Sequence, residues 1–309
     1  MGGVLVGFAI IAVVIAVGYL VGRLGILGEN APFVLSRIAF YVLSPALLFS
    51  VLASADVHVL FSSLLGVSII AAATVGITFA IVARLVWRRS VSETVVGSLA
   101  SGYVNANNIG LPVAVYVLGD AAFSAPVILF QLLVFAPVAL TILDIADRGS
   151  VSVKNVLLQP LRNPILLASA LGVLLAVLQV HLPDAVLEPF RLVGGAAVPV
   201  VLIAFGMSLH GQRPLAAGSS RRDVVLAATL KLVAMPAVAW LVGHFVFGLE
   251  GSPLFAVVVL ATLPSAQNVF NYAQRYDRGV ILARDTVLVT TVLSLPALLV
   301  VAWLLAPGG

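Results

Sequence analysis

Two segments of this chain are apolar enough and long enough to lie in a lipid bilayer, yet amides and proline interrupt each near its middle. The first interruption reads Tyr-Val-Asn-Ala-Asn-Asn-Ile-Gly-Leu-Pro over residues 103–112, and the second reads Thr-Leu-Pro-Ser-Ala-Gln-Asn-Val-Phe-Asn over residues 262–271. Hydrocarbon offers no water to the backbone groups that a break releases, so a break persists only where it lines a cavity within the protein. Paired interruptions in two halves of a chain are typical of the binding sites of secondary transporters.

The composition excludes a soluble domain. Hydrophobic residues make up 62% of the chain and charged residues 9%, whereas soluble domains carry roughly 25% charged residues. Cysteine is absent and the four histidines lack metal-ligand spacing, so we expect no metal site. The chain has no phosphate-binding loop of the Gly-x-x-x-x-Gly-Lys type and no paired nucleophile and base, so we expect no cofactor, no ATP-driven transport and no enzyme activity.

Stretches of about 20 mainly apolar residues predict an all-α integral membrane protein with ten transmembrane helices. We number them as spans one to ten in chain order. No basic residue precedes the first stretch and no clear cleavage site follows it, so we expect it to be retained as span one. The predicted limits are 4–23, 33–53, 60–84, 94–118, 121–143, 163–181, 190–209, 224–247, 253–275 and 283–305.

The basic residues are distributed very unevenly between the two sides of this predicted topology. Of the 16 Lys and Arg residues, 14 fall near one set of alternate connections; Arg191 lies on the opposite side and Lys231 lies inside a span. The positive-inside rule places the first set in the cytoplasm. We therefore expect a multi-pass protein of the cell (inner) membrane with both termini outside the cytoplasm.

Five spans in each half make the second half inverted relative to the first. The two repeats are predicted over residues 1–145 and 163–309, joined by a short cytoplasmic connection at 146–162. Pro112 and Pro264, which are 152 residues apart, mark interruptions at corresponding places in spans four and nine. We expect these broken spans to cross near the middle of the membrane and to form one pocket.

The first interruption contains Asn105, Asn107, Asn108, Gly110 and Pro112. Asn caps helix N-termini, and Pro removes a backbone donor, so the pattern predicts two half-helices with a positive dipole end at mid-membrane. Such an end binds anions without a basic side chain. The alternative is a kinked helix whose Asn side chains only bond neighbouring helices.

The second interruption has a similar pattern in Pro264, Ser265, Gln267, Asn268 and Asn271. Proline and serine are typical of a half-helix start, and the amides supply hydrogen-bond donors and acceptors for a ligand. We predict that both interruptions bind the same substrate.

Three further features of the apolar spans have two interpretations each. Gln131 either donates to substrate or bonds a neighbouring helix. Lys231 either attracts an anion or, as we expect, snorkels to the cytoplasmic surface or forms a structural pair. The Gly-x-x-x-Gly pattern at 18–22 serves helix packing within the chain or a homodimer.

Five short motifs follow one another along the chain: Ser-Pro-Ala-Leu-Leu-Phe at 44–49, Asn-Asn-Ile-Gly-Leu-Pro at 107–112, Ala-Phe-Gly-Met-Ser-Leu at 204–209 with Pro199 upstream, Lys231 ahead of Pro236, and Pro264-Ser265. Together they resemble the auxin efflux carrier family. The resemblance implies a ten-span inverted fold related to the sodium/bile-acid symporters, with spans four and nine crossing at the site. It also implies transport of organic anions, such as auxin in plants and malate or malonate in bacterial relatives. The long cytoplasmic loop of many plant members is missing, which favours a compact prokaryotic-type member.

The sequence therefore predicts a secondary carrier that exports a small organic anion by alternating access. The expected partners are that anion and the lipid bilayer, and no nucleic acid. Two alternatives stay open: an importer coupled to Na⁺ or H⁺, and a membrane sensor or interaction protein that does not transport.

The charge asymmetry makes a prediction about topology that the absence of native cysteine makes simple to test. Single cysteines that replace Ser150 and Gly308 should react with an impermeant maleimide from opposite sides of the membrane. Labelling of both from the same side would contradict the ten-span topology.

Overall fold

The computed structural model describes residues 2–54, 63–148, 163–180, 182–211, 215 and 221–306, and these ranges are helical throughout apart from turns and short connections. They contain no β-sheet, and extended backbone pairs at one point, between Val104 and Ser265.

Seven helices in the described part of the chain are long and apolar enough to cross a membrane. They belong to predicted spans one, two, three, five, seven, eight and ten. Their limits are α1 (Gly2–Leu24), α2 (Ala31–Leu52), α3 (Ser63–Val86), α6 (Ala121–Ala146), α8 (Asp184–Ser208), α9 (Arg221–Val246) and α12 (Val280–Leu305).

The remaining helices are shorter. Predicted span six corresponds to α7 (Pro164–Val177), which has 14 residues. Predicted spans four and nine are both broken: the first is divided into α4 (Val91–Gly102) and α5 (Ala106–Leu118), and the second into α10 (Gly251–Thr262) and α11 (Gln267–Tyr276). Each break lies at the amide-rich interruption seen in the sequence.

The two broken segments have matching limits, because α4 and α10 both contain 12 residues and begin 160 positions apart. Both follow a turn with a positive φ, at Arg88 and at Gly248. Pro112 and Pro264, 152 residues apart, were expected to occupy equivalent places in the two repeats. The 160-residue spacing of α4 and α10 does not support that equivalence. Pro264 lies inside its break, whereas Pro112 lies within α5, beyond the break.

The helices pack as two groups with the breaks between them. One group contains α1, α2, α7 and α8, and the other contains α3, α4, α6, α9, α10, α11 and α12. Helix α5 contacts both groups, since it packs against α1 and α8 of the first group and against α6 of the second. The breaks therefore lie where the two groups meet.

Close contact between α1 and α8 depends on glycine. A Cβ on Gly18 would lie 2.4 Å from the carbonyl oxygen of Ile203, and a Cβ on Gly206 would lie 2.1 Å from that of Ile15. Gly22 faces Met207 in the same contact. The Gly-x-x-x-Gly pattern of α1 thus brings two helices of one chain together, as small residues do in membrane interfaces.

Gly206→Ala should lower the melting temperature, because backbone would have to move to admit the methyl group. Overpacking of this kind is worth about 1–3 kcal/mol. Gly195→Ala on the same helix is the matched control, since a Cβ there meets nothing within 4 Å. Equal melting temperatures of the two purified variants would show that the α1–α8 contact is not tight.

Candidate functional site

The two breaks are joined to each other by main-chain hydrogen bonds. The amide of Asn105 donates to the carbonyl of Pro264 at 2.9 Å, and the amide of Ala266 donates to the carbonyl of Tyr103 at 3.0 Å. Each break thereby satisfies backbone groups that the other leaves without an intrahelical partner. This reciprocal pairing explains how both helices can be interrupted inside a membrane protein.

Side chains satisfy the remaining backbone donors at the crossing. The amide of Val104 donates to the side-chain oxygen of Gln131, and the amide of Ser265 donates to the hydroxyl of Thr290 at 3.1 Å. The hydroxyl of Ser265 donates to the carbonyl of Ala100 on α4. Gln131 therefore makes the structural bond that was one of its two interpretations.

Two helices, α5 and α11, have their N-termini at the crossing. At the start of α5, the side-chain oxygen of Asn105 accepts from the amide of Asn108 at 3.2 Å, which is an N-cap. At the start of α11, Ala266 precedes Gln267 and provides no side-chain cap. Both helices direct the positive ends of their dipoles toward this region.

A cavity of ≈ 530 Å³ lies against the crossing. Helices α2 and α6 and the start of α7 at Asn163 contribute to its wall together with both breaks. Seven of the residues predicted from the sequence line it: Asn105, Asn107, Asn108, Gln131, Gln267, Asn268 and Asn271.

The other four predicted residues do not line this cavity, and each is packed against other parts of the chain. Pro264 and Ser265 are buried in the main-chain pairing. Pro112 is buried inside α5. Gly110 allows close approach of the two breaks, since a Cβ there would lie 3.1 Å from the side chain of Leu263.

Two amide atoms at the crossing lack a hydrogen-bond partner although they are buried. They are Nδ2 of Asn105 and Oδ1 of Asn107. The neighbouring Nδ2 of Asn107 donates to Oδ1 of Asn108 at 3.0 Å. Buried polar atoms are nearly always bonded, so these two atoms are positions where a ligand or water would be stabilised.

Arg37 is the one charged side chain among the described residues that line the cavity. Its guanidinium lies 5.5 Å from the ring centre of Phe33 and 5.4 Å from that of Tyr41. Arg37 makes no ion pair with any described residue. In the predicted topology Arg37 is only one of the 14 basic residues on the cytoplasmic side. Arg37 lies four residues from both Phe33 and Tyr41, so the three side chains share one helix face. This spacing was the sequence signal that could have identified Arg37.

Lys231 was expected either to snorkel to the cytoplasmic surface or to form a structural pair, and it does not snorkel. Its side chain is 0% exposed, and its ammonium donates to the carbonyl of Ala261 at 2.6 Å and contacts the sulfur of Met235 at 3.1 Å. It does not line the large cavity. The hydrogen bond to Ala261 is a structural pair, the other of the two expected outcomes.

The model for the membrane transport protein family matches this chain over residues 4–154 and 141–302. The chain is 22% identical to an uncharacterized transporter of Methanocaldococcus jannaschii, which covers 96% of this chain and 97% of that protein. It is 26% identical to an uncharacterized transporter of Methanothermobacter thermautotrophicus, with 93% and 94% covered. It is 27% identical to a "putative malonate transporter" of Rhizobium meliloti, with 95% and 93% covered.

The match extends over nearly the whole chain and includes both broken segments. It agrees with the apolar helices and with the motifs at the breaks. The chain is thus a multi-pass membrane protein that belongs to the membrane transport protein family, the auxin efflux carrier family that its motifs resemble.

Proposed function

We propose that this protein is a secondary carrier that exports a small organic anion by alternating access. One observation carries the proposal: amides from both breaks, two helix N-termini and a single arginine face one cavity whose described wall has no acidic side chain. This combination favours negative charge and gives a carboxylate several donors.

The carboxylate binds at the crossing in this proposal. The side chains of Asn108 and Gln267 donate to it from the two half-helix starts, and the helix dipoles add attraction without a basic residue in contact. The side-chain Nδ2 of Asn105, which has no hydrogen-bond partner among the described residues, supplies a further donor. Uncharged donors suit a carrier, because the bound anion must also be released.

The proposed topology has ten crossings. The seven long helices, the shorter α7 and the two broken pairs account for that number. The 160-residue spacing of α4 and α10 supports two repeats, and five crossings in each make the second repeat inverted. With the basic connections in the cytoplasm and both termini outside, the cavity at Arg37 and Asn163 faces the cytoplasm of an inner-membrane protein.

Alternating access then results from movement of one helix group against the other. The breaks lie at the boundary between the groups, so a shift of that boundary would expose the crossing to the opposite side. The membrane potential of a negative-inside cell favours outward movement of an anion by about 2.3 kcal/mol per charge per 100 mV. Export therefore proceeds without a coupling ion.

The substrate we propose is a short dicarboxylate. The relative named for malonate motivates this class, and the cavity offers two places for negative charge, the crossing and Arg37. The planar guanidinium of arginine bonds a carboxylate through two parallel N–H groups. The aromatic rings of Phe33 and Tyr41 flank that guanidinium and limit its freedom.

Asn108→Ala and Gln267→Ala should each weaken binding of malonate about tenfold or more, because hydrogen bonds to a charged group are worth about 1.5–3 kcal/mol. Isothermal titration of purified protein and counterflow in proteoliposomes measure the effect. Asn30→Ala is the control, since Asn30 is exposed and caps no helix with its side chain. Unchanged affinity in both site variants, with normal folding, would exclude the crossing as the binding site.

Arg37→Gln should weaken malonate about tenfold but change the affinity for acetate by no more than about twofold, since only the second carboxylate reaches the guanidinium. Arg23→Gln is the control: Arg23 is exposed at the end of α1 and does not line the cavity. An equal loss for both acids would show that Arg37 attracts anions generally. No loss for either would remove it from the site.

A further inference from the structure

The ammonium of Lys231 lies at the C-terminal end of a half-helix. Ala261, whose carbonyl it bonds at 2.6 Å, is the second-last residue of α10. The last four carbonyls of a helix lack intrahelical partners, and they carry the negative end of the helix dipole. Lys231 thus supplies a positive charge where the backbone of α10 presents its negative end.

The two partners of this ammonium and the wall of the large cavity meet at a small second cavity. A small cavity of ≈ 10 Å³ is lined by Met235 and Ala261, the two partners of the lysine, and also by Val104 and Gln131. Val104 and Gln131 line the large cavity as well. Val104 and Gln131 thus lie between the region of the lysine's partners and the large cavity.

The two repeats differ at this position. The residue 160 positions before Lys231 is Ala71, which is buried on α3, and α3 packs against α4 as α9 packs against α10. The end of α4 therefore has no lysine from the matching position of α3. Because α10 has such a lysine and α4 does not, a lysine is not required to end a half-helix in this fold.

Broken helices of secondary transporters commonly use half-helix C-terminal carbonyls to coordinate a coupling cation. We propose that Lys231 is a resident cation at this position, so that the organic anion binds without a co-transported Na⁺ or K⁺. The inference rests on the proposed function, because it concerns how the carrier balances the charge of its substrate. Burying an ammonium is destabilising unless the charge is paired, and the carbonyl, the helix dipole and the arriving anion offset this destabilisation.

The first experiment uses the wild-type protein with malonate as the probe. Its dissociation constant should be the same, within about twofold, in sodium, potassium and choline chloride of equal ionic strength. Tightening of tenfold or more by sodium or potassium would overturn the proposal, since that cation would then occupy a site of its own.

The second experiment restores the cation chemically. Lys231→Ala removes the ammonium and leaves space for it, so the variant should melt lower and propylammonium should raise its melting temperature with the logarithm of the amine concentration. Choline at the same ionic strength should have no such effect. Absence of recovery by propylammonium would overturn the resident-cation assignment.

Two variants control for this recovery. Lys231→Met fills the space without a charge and should not respond to propylammonium. Leu230→Ala opens an apolar space at the next buried position and should also not respond. Recovery of Leu230→Ala as well would show that the amine stabilises any cavity and would contradict the proposal.

The two experiments separate this inference from the proposed function. If wild-type protein binds no carboxylate, the proposed function fails, while the propylammonium response of Lys231→Ala still reports on the cation position. If carboxylates bind but only with sodium, the carrier function stands and the resident cation is rejected.

Discussion

The main-chain pairing of the two breaks is the contact on which the rest of this structure depends. Two hydrogen bonds, from Asn105 to Pro264 and from Ala266 to Tyr103, tie the interruptions into a short antiparallel contact. In hydrocarbon each unsatisfied backbone group is destabilising by several kcal/mol, so neither interruption would be stable alone. Together they create two helix starts and two helix ends at one place within the membrane domain.

The helix starts and helix ends have different partners. The starts at Ala106 and Gln267 face the large cavity, where amides remain available for a ligand. The ends are closed by the protein: the ammonium of Lys231 donates to the carbonyl of Ala261 at the end of α10, and the hydroxyl of Ser265 donates to the carbonyl of Ala100 at the end of α4. In the proposed function an anion binds at the positive helix ends, and the chain places one cation, the ammonium of Lys231, at the negative end of α10.

Much of this arrangement could be predicted from the sequence, because polar residues inside apolar segments are conspicuous. Both breaks were located, and seven of the eleven predicted site residues line the cavity. Gly110, Pro112, Pro264 and Ser265 do not, since the residues that interrupt a helix are needed to hold the break together. Composition alone cannot separate the residues that make a break from those that face the space beside it.

The errors have physical causes as well. Arg37 was missed because the positive-inside rule counts an arginine near a span end without asking where its side chain lies; the helix begins at Ala31, which places Arg37 on its second turn. Snorkelling was one of the two outcomes expected for Lys231, since a lysine stem can reach far, but a helix C-terminus close to it offered a partner inside the protein. Both depend on tertiary neighbours that one sequence does not reveal.

The pairing of the two breaks can be tested directly by a cysteine cross-link between Val104 and Ser265. These residues form a non-hydrogen-bonded antiparallel pair, in which Cα atoms are about 4.5 Å apart and a disulfide can form. Because the chain has no native cysteine, Val104→Cys with Ser265→Cys gives an unambiguous readout. We predict that mild oxidation forms an intramolecular disulfide, measured as loss of maleimide labelling and a mass decrease of two hydrogens, in protein that still binds malonate. Two free thiols after oxidation, in a folded protein that binds malonate, would show that the breaks do not meet and would contradict this account.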